Sequence, residues 1–142
     1  MSNIIYYADE SGDERQIFEE ATKSKNTTVY TFENGNELTE AIENPPPKPQ
    51  IVFVDLAEVS DGYKAVRKIR SRENFRLPII IVSTVLNSKI VEKYNALGAN
   101  LYIYKCGSRM KLKKAINYAL GINWNLFRTT SKNFFYNSFL NR

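Results

Sequence analysis

Acidic, hydroxyl and amine side chains stand at the ends of four apolar segments of this chain. The segment IIYYA runs into Asp9 and Glu10, and the segment IVFV runs into Asp55. Ser83 follows a third segment, IIIV, and Lys105 follows a fourth, LYIY. If these segments are parallel strands of one sheet, their carboxyl ends share the edge where such sheets bind ligands. The pattern predicts a site that combines three carboxylates, a hydroxyl and an ammonium.

This set of groups suits phosphoryl transfer beside a metal ion. Crowded carboxylates resist ionisation unless a positive charge lies among them, and a hard divalent cation meets that need. Mg²⁺ fits so small a set, because it keeps several waters and also takes phosphate oxygens as ligands. Asp55 would then attack phosphorus, Lys105 would neutralise the phosphoryl oxygens, and Ser83 would hold one of them. We therefore predict an aspartyl phosphate at Asp55, with Mg²⁺ as the cofactor.

Composition excludes several other kinds of chemistry. The 142 residues include no histidine and one cysteine, which excludes a zinc cage, a histidine-based triad and an internal disulfide. No apolar run approaches the roughly 18 to 20 residues of a membrane-spanning helix, and the start MSNIIYYADE lacks the features of a secretion signal. We expect a single fold in the cytoplasm, without membrane contact.

The net charge of +5 is unevenly distributed along the chain. Residues 1–60 hold 12 acidic and 4 basic side chains, whereas residues 61–142 hold 3 and 16. The basic residues of KAVRKIRSR and RMKLKKAI alternate with apolar ones at helical intervals, as on a solvated helix face. We therefore expect no nucleic-acid partner, and binding of nucleic acid by the basic half stays a rival hypothesis.

Five apolar segments alternate with five stretches of helical periodicity, which predicts an α/β fold. The apolar segments are IIYYA, TVYTF, IVFV, IIIV and LYIY. Ser11 and Glu14 have the spacing of a capping box at the start of the first helix, and the periodicity of the fourth helix turns Tyr94 inward. Strands and helices in this order form a parallel sheet covered by helices on both faces.

Taken in order, the segments around the predicted site resemble the receiver domains of response regulators in two-component signalling. The likeness covers residues 3 to about 120 and rests on ADE, VFVDLAEVSDG, PIIIVST and GANLYIYKCGS. It implies a flavodoxin-like three-layer sandwich, with five helices and a five-stranded parallel sheet in the order 2-1-3-4-5. It also divides the chain into a receiver domain, residues 1–120, and an aromatic-rich C-terminal extension, residues 121–142.

The resemblance assigns a role to each residue of the predicted site. Asp55 is the phosphoacceptor, and Lys105 and Ser83 assist it. The metal ligands that the likeness implies are Asp9, Glu10, Asp55 and the backbone carbonyl of Ala57. Phosphorylation would draw Ser83 toward the phosphoryl group and let the aromatic switch residue, Tyr102, rotate inward.

The resemblance also implies partners. A histidine kinase or a phosphotransfer protein supplies the phosphoryl group, and a downstream protein reads the fourth helix, fifth strand and fifth helix. The residues expected on that surface are Lys89, Lys93, Tyr94, Lys111 and Lys114. These lysines suit an acidic partner. The domain would assist its own phosphorylation and dephosphorylation without being a conventional enzyme.

Three departures from the family pattern favour an alternative. The acidic pair is Asp-Glu instead of Asp-Asp, and the turn after Asp55 is about one residue short and lacks the usual proline. Cys106 stands where the family has a proline after a cis bond, and a cis bond without proline costs about 2.5 to 4 kcal/mol. The alternative is a degenerate receiver that acts as a phosphorylation-independent protein-interaction module.

A flavin- or nucleotide-binding domain of similar fold is a further alternative. The turn ADESGDER after the first strand is acidic and contains neither a P-loop nor a G-x-G-x-x-G cradle. The sequence therefore disfavours this class.

The extension, residues 121–142, has the composition of a packed segment. It holds six aromatic side chains among 22 residues, unlike a disordered linker. Packing on its own domain, self-association into a homodimer and docking of a partner all stay open at this stage.

Overall fold

Strands and helices alternate in the structure, a computed structural model that describes residues 3–23, 26–44, 47–72, 77–105, 109–130 and 132–137. The strands are β1 (Asn3–Asp9), β2 (Thr27–Phe32), β3 (Ile51–Asp55), β4 (Ile79–Ser83), β5 (Leu101–Tyr104) and β6 (Phe135–Asn137). The helices are α1 (Gly12–Thr22), α2 (Gly35–Glu43), α3 (Val59–Arg72), α4 (Ser88–Leu97) and α5 (Arg109–Gly121). Among the helices of these ranges, none has the length and apolar character needed to cross a membrane.

The six strands form one parallel sheet in the order β2-β1-β3-β4-β5-β6. The predicted order of the first five strands is confirmed. The expected count of five is wrong by one, because part of the C-terminal extension adds β6 beside β5. In that pair Tyr102 lies opposite Phe135, and Ile103 lies opposite Tyr136.

Each face of the sheet buries its own apolar cluster, which gives the predicted three layers. On one face α2, α3 and α4 contribute side chains such as Leu38, Val66 and Tyr94. On the other face α1 and α5 contribute Phe18 and Ile116. Strands β3 and β4 lie between the two clusters, which explains why IVFV and IIIV are apolar at every position.

The described part of the C-terminal extension packs on this core. Phe134, just before β6, is buried in the cluster of α2, α3 and α4, and its carbonyl accepts a hydrogen bond from the Tyr102 backbone at 2.8 Å. The ring of Tyr136 stacks on that of Tyr118 from α5, with 4.7 Å between centroids. The sixth strand therefore covers the edge of β5 that a five-stranded sheet would expose.

The register of the strands places the predicted site at one edge of the sheet. Asp9 lies directly opposite Asp55, because β1 and β3 are neighbours. The backbone N–H of Lys105 donates to the Ser83 carbonyl at 2.8 Å, which joins the ends of β4 and β5. The rigid ends of β1, β3, β4 and β5 thus hold the groups that sequence analysis selected.

The first turn of α1 is held partly as the capping-box spacing predicts. The Ser11 hydroxyl accepts a hydrogen bond from the backbone N–H of Glu14 at 3.2 Å. The other half of the prediction is wrong, because the backbone N–H of Ser11 donates to Asp9 at 2.9 Å. The Glu14 side chain instead forms an ion pair with Lys105.

Candidate functional site

The centre of the site is a buried pair of opposite charges. Asp55 is the last residue of β3 and is 8% exposed. Lys105 follows β5, and its Nζ donates to Oδ2 of Asp55. The same Nζ lies 3.6 Å from a carboxylate oxygen of Glu14. A single ammonium therefore serves two carboxylates that come from different elements.

Burial and pairing act in opposite directions on this pair. Burial raises the pKa of Asp55 to about 7, since the charge of Lys105 opposes that rise only in part and the nearby Asp9 adds to it. Burial alone would lower the pKa of Lys105, but the carboxylates of Asp55, Glu14 and Asp9 together outweigh it and the pKa is raised. Desolvation thus dominates at the carboxyl and pairing dominates at the amine, so Lys105 stays charged near neutral pH.

Three carboxylates meet at this end of the sheet. Asp9, Glu14 and Asp55 each offer an oxygen within 4.8 Å of the other two. Asp9 is 5% exposed, and its backbone carbonyl accepts a hydrogen bond from Arg15 at 2.7 Å. Closely spaced carboxylate oxygens of this kind are donors for a hard divalent cation.

Glu10, which the sequence selected as a metal ligand, lies outside this cluster. Its side chain is exposed, and Oε1 accepts a hydrogen bond from the backbone N–H of Ala57 at 3.1 Å. Glu14 lies in the cluster instead, in the first turn of α1. Sequence analysis missed Glu14 because its position also fits a capping box.

Sequence analysis also missed Tyr7. Its hydroxyl donates to Oδ2 of Asp9 at 2.7 Å and lies 3.3 Å from Oδ2 of Asp55. Burial, followed by the charge of Asp55, raises the pKa of the Tyr7 hydroxyl above its usual value, so the group keeps its proton. The signal was present in the sequence, because residues two apart on a strand face the same side and Tyr7 precedes Asp9 by two.

The two residues expected to act as a switch lie on neighbouring strands. Ser83 is half-buried at the end of β4, and its Oγ accepts a hydrogen bond from the backbone N–H of Val85 at 3.0 Å. Tyr102 is fully buried, and its hydroxyl donates to the Val85 carbonyl at 2.6 Å. The ring of Tyr102 lies inside the core in this structure, and its movement on phosphorylation stays a prediction.

The expected partner surface also needs one correction. Lys89, Lys93 and Lys114 are exposed and Lys111 is half-exposed. Tyr94, in contrast, is buried in the core, where its ring packs against Tyr63 and Tyr102 at 4.8 and 5.8 Å between centroids. Tyr94 cannot contact a partner, because the helical periodicity of α4 turns it toward the sheet.

The predicted departure at Cys106 cannot be compared with the structure. Cys106 and the peptide bond that precedes it lie outside the described residues.

The fold and the site match one protein family. A family model described as the response regulator receiver domain matches residues 5–117, and this chain belongs to that family. Among curated proteins, no sequence matches the chain significantly.

Solved structures of response regulators share the fold. The phosphorylated cyanobacterial phytochrome response regulator RcpA is 20% identical, with a TM-score of 0.74 over 84% of this chain and 91% of that one. The Mn(2+)-bound form of response regulator Rcp1 is 17% identical, with a TM-score of 0.75 over 91% and 99%. The chemotaxis protein CheY4 of Vibrio cholerae is 18% identical, with a TM-score of 0.71 over 83% and 98%. The chain is thus a receiver domain of the two-component signalling type.

Proposed function

We propose that this receiver domain accepts a phosphoryl group on Asp55 and passes a signal by changing conformation. The observation that carries the proposal is the buried contact between the Asp55 carboxylate and the Lys105 ammonium, beside two further carboxylates. A carboxylate held at the end of a rigid strand is an oxygen nucleophile, and it forms an acyl phosphate when it attacks phosphorus.

The two oxygens of Asp55 have different roles in this proposal. Lys105 and Tyr7 both contact Oδ2, so we assign the attack to Oδ1. With acetyl phosphate as the donor, a lone pair on Oδ1 forms a bond to phosphorus while the bond from phosphorus to the acetyl oxygen breaks. The electron pair of that bond leaves with acetate, and no proton has to move.

Lys105 stabilises the charge of the group in transfer. Its ammonium contacts the attacking Asp55 carboxylate and is therefore close to the incoming phosphoryl group. The transition state spreads negative charge over the three phosphoryl oxygens, which a nearby ammonium stabilises. Glu14 offers the ammonium a second carboxylate at 3.6 Å. We infer that Glu14 keeps Lys105 oriented while the contact with Asp55 gives way to the phosphoryl oxygens.

Asp9, Asp55 and Glu14 are the residues we propose to hold a divalent cation, with Mg²⁺ as the cofactor. Their oxygens are hard ligands, and three carboxylates within 4.8 Å fit a small cation that also binds water and phosphate. When bound, the cation would neutralise both the carboxylates and the phosphoryl oxygens. The Mn(2+)-bound form of Rcp1, a structure of the same fold, supports a cation of this class.

We propose that the signal leaves through α4, β5 and α5. The phosphoryl donor would be a histidine kinase or a phosphotransfer protein, and the lysines at 89, 93, 111 and 114 would meet a downstream partner. Ser83 and Tyr102 connect the site to this surface. The Tyr102 hydroxyl donates to the Val85 carbonyl, and the Val85 N–H donates to Ser83. Tyr102 also pairs with Phe135 of β6. The domain modifies itself and is not a conventional enzyme.

The experiment is phosphorylation by acetyl phosphate with Mg²⁺, read by intact-protein mass. We expect one added phosphoryl group on the wild-type chain. EDTA should prevent its addition, because it removes the cation whose positive charge would neutralise the carboxylates and the phosphoryl oxygens. Asp55→Asn should abolish it, because an amide oxygen is no nucleophile for phosphorus.

Asp61→Asn is the matched control, since this exposed aspartate lies six residues further on, in the first turn of α3. It should take up the phosphoryl group as the wild type does. An unmodified wild type would refute the proposed function and leave the degenerate receiver as the better account, and a modified Asp55→Asn would refute the choice of acceptor.

A further inference from the structure

A tyrosine hydroxyl lies between the proposed phosphoacceptor and its neighbouring carboxylate. The hydroxyl of Tyr7 donates to Oδ2 of Asp9 at 2.7 Å and lies 3.3 Å from Oδ2 of Asp55. We propose that Tyr7 shortens the lifetime of the phosphoryl group by donating to the Asp55 carboxylate as it leaves. This inference rests on the proposed function and adds a residue that acts directly on the dephosphorylation step.

The ring of Tyr7 is fixed, so its hydroxyl can move little. Tyr7 is 2% exposed and lies opposite Phe53 in the pairing of β1 with β3. Its ring stacks on Phe18 with 4.0 Å between centroids and an angle of 8°. Phe18 in turn meets Phe53 edge-on at 5.0 Å. This packing holds the hydroxyl oxygen between the two carboxylates, so only its O–H bond has to turn from Asp9 toward Asp55.

The chemistry of hydrolysis gives the hydroxyl its effect. A water oxygen forms a bond to phosphorus while the bond between phosphorus and Oδ1 of Asp55 breaks. The electron pair of that bond stays with Asp55, which becomes a carboxylate again, and a proton of the water goes to the released phosphate. Negative charge therefore returns to the carboxyl group and is shared by resonance with Oδ2.

A donor beside Oδ2 favours the product of this step. A hydrogen bond to a charged oxygen is roughly twice as strong as one to a neutral oxygen, so Tyr7 binds the carboxylate better than the acyl phosphate. The same difference lowers the barrier for carboxylate release, because charge is already developing in the transition state. Without the hydroxyl, hydrolysis should slow.

Tyr6 is a matched control on the same strand. It faces the opposite side of the sheet, and its hydroxyl donates to the Pro47 carbonyl at 2.7 Å. Tyr6→Phe thus removes a tyrosine hydrogen bond from β1 without touching Asp9 or Asp55. Any effect of general destabilisation should appear in both variants.

The test compares wild type, Tyr7→Phe, Tyr7→Leu and Tyr6→Phe. Each chain is phosphorylated with acetyl phosphate and Mg²⁺ and freed of donor, and the loss of the phosphoryl group is followed by intact mass. One half of each sample keeps saturating Mg²⁺ and the other half receives EDTA. Thermal unfolding of each variant shows that it is folded.

We expect both Tyr7 variants to retain the phosphoryl group about three to ten times longer than the wild type, because only the difference between a hydrogen bond to the carboxylate and one to the neutral acyl phosphate contributes. The ratio should persist in EDTA, and Tyr6→Phe should decay as the wild type does. A purely structural role for Tyr7 predicts the opposite, because a loosened site admits water and loses the group faster. Decay as fast as in the wild type, or faster, would overturn the inference. A wild type that takes up no phosphoryl group would instead refute the proposed function itself.

Discussion

Replacing Lys105 with alanine is expected to lower the rate of Asp55 phosphorylation by about 100-fold, the usual cost of removing one aligned charge-stabilising donor from a reaction centre. The reason is local. The Lys105 Nζ donates directly to Oδ2 of Asp55, and among the described residues it is the positively charged side chain in contact with this carboxylate. The measurement is the initial rate of phosphoryl uptake from acetyl phosphate at saturating Mg²⁺, followed by intact mass.

Two further variants separate charge from shape at this position. Lys105→Arg keeps the positive charge but replaces a compact ammonium by a planar fork, so its rate should fall between those of wild type and Lys105→Ala. Lys64→Ala removes an exposed lysine of α3 and should react as the wild type does. A Lys105→Ala rate within a factor of about three of the wild type would show that the ammonium contributes little to the reaction, against the size expected of such a donor.

Replacing Phe134 with alanine is expected to lower the free energy of unfolding by about 3 to 5 kcal/mol, as for other buried phenylalanines. Phe134 is 2% exposed and packs in the same cluster as Tyr102, whose backbone N–H donates to its carbonyl at 2.8 Å. The loss of the ring would leave a cavity in this cluster. Urea denaturation followed by circular dichroism measures the change.

Leu126→Ala is the control for this prediction. Leu126 belongs to the same extension but is 78% exposed, so its loss should change the free energy of unfolding by no more than about 0.5 kcal/mol. Equal stabilities for the two variants would mean that the extension contributes nothing to the core. A large loss for Phe134→Ala alone would make the extension part of the folding unit.

The architecture could be predicted because each element has a strong local signal. Segments such as IVFV and IIIV are apolar at every position, and the sheet buries both of their faces. The sixth strand had no comparable signal. Phe135–Asn137 is three residues long, and aromatic composition predicts that a segment is buried without saying against which edge.

The site could be predicted where a strand end determined the position. Asp9, Asp55 and Lys105 meet because parallel strands finish at the same edge. The sequence led to the wrong choice between Glu10 and Glu14, because the direction of each side chain depends on how α1 leaves the sheet. Glu10 accepts a hydrogen bond from the backbone N–H of Ala57, and Glu14 forms an ion pair with Lys105.

Tyr94 illustrates two kinds of inference in conflict. Its spacing with the apolar residues of α4 turned it toward the core, whereas resemblance to the family put it on the partner surface. The structure agrees with the periodicity, since Tyr94 is buried against Tyr102. Helical spacing reports burial directly, while a surface carried over from relatives depends on every intervening side chain.

The most direct test of the account locates the phosphoryl group within the chain. Borohydride reduces an acyl phosphate to an alcohol, so treatment of the phosphorylated protein followed by peptide mass spectrometry identifies the residue that was modified. The account predicts reduction at Asp55 and an intact Asp9 and Glu14. Reduction at either of these two carboxylates, or at any other residue while Asp55 stays unchanged, would contradict it.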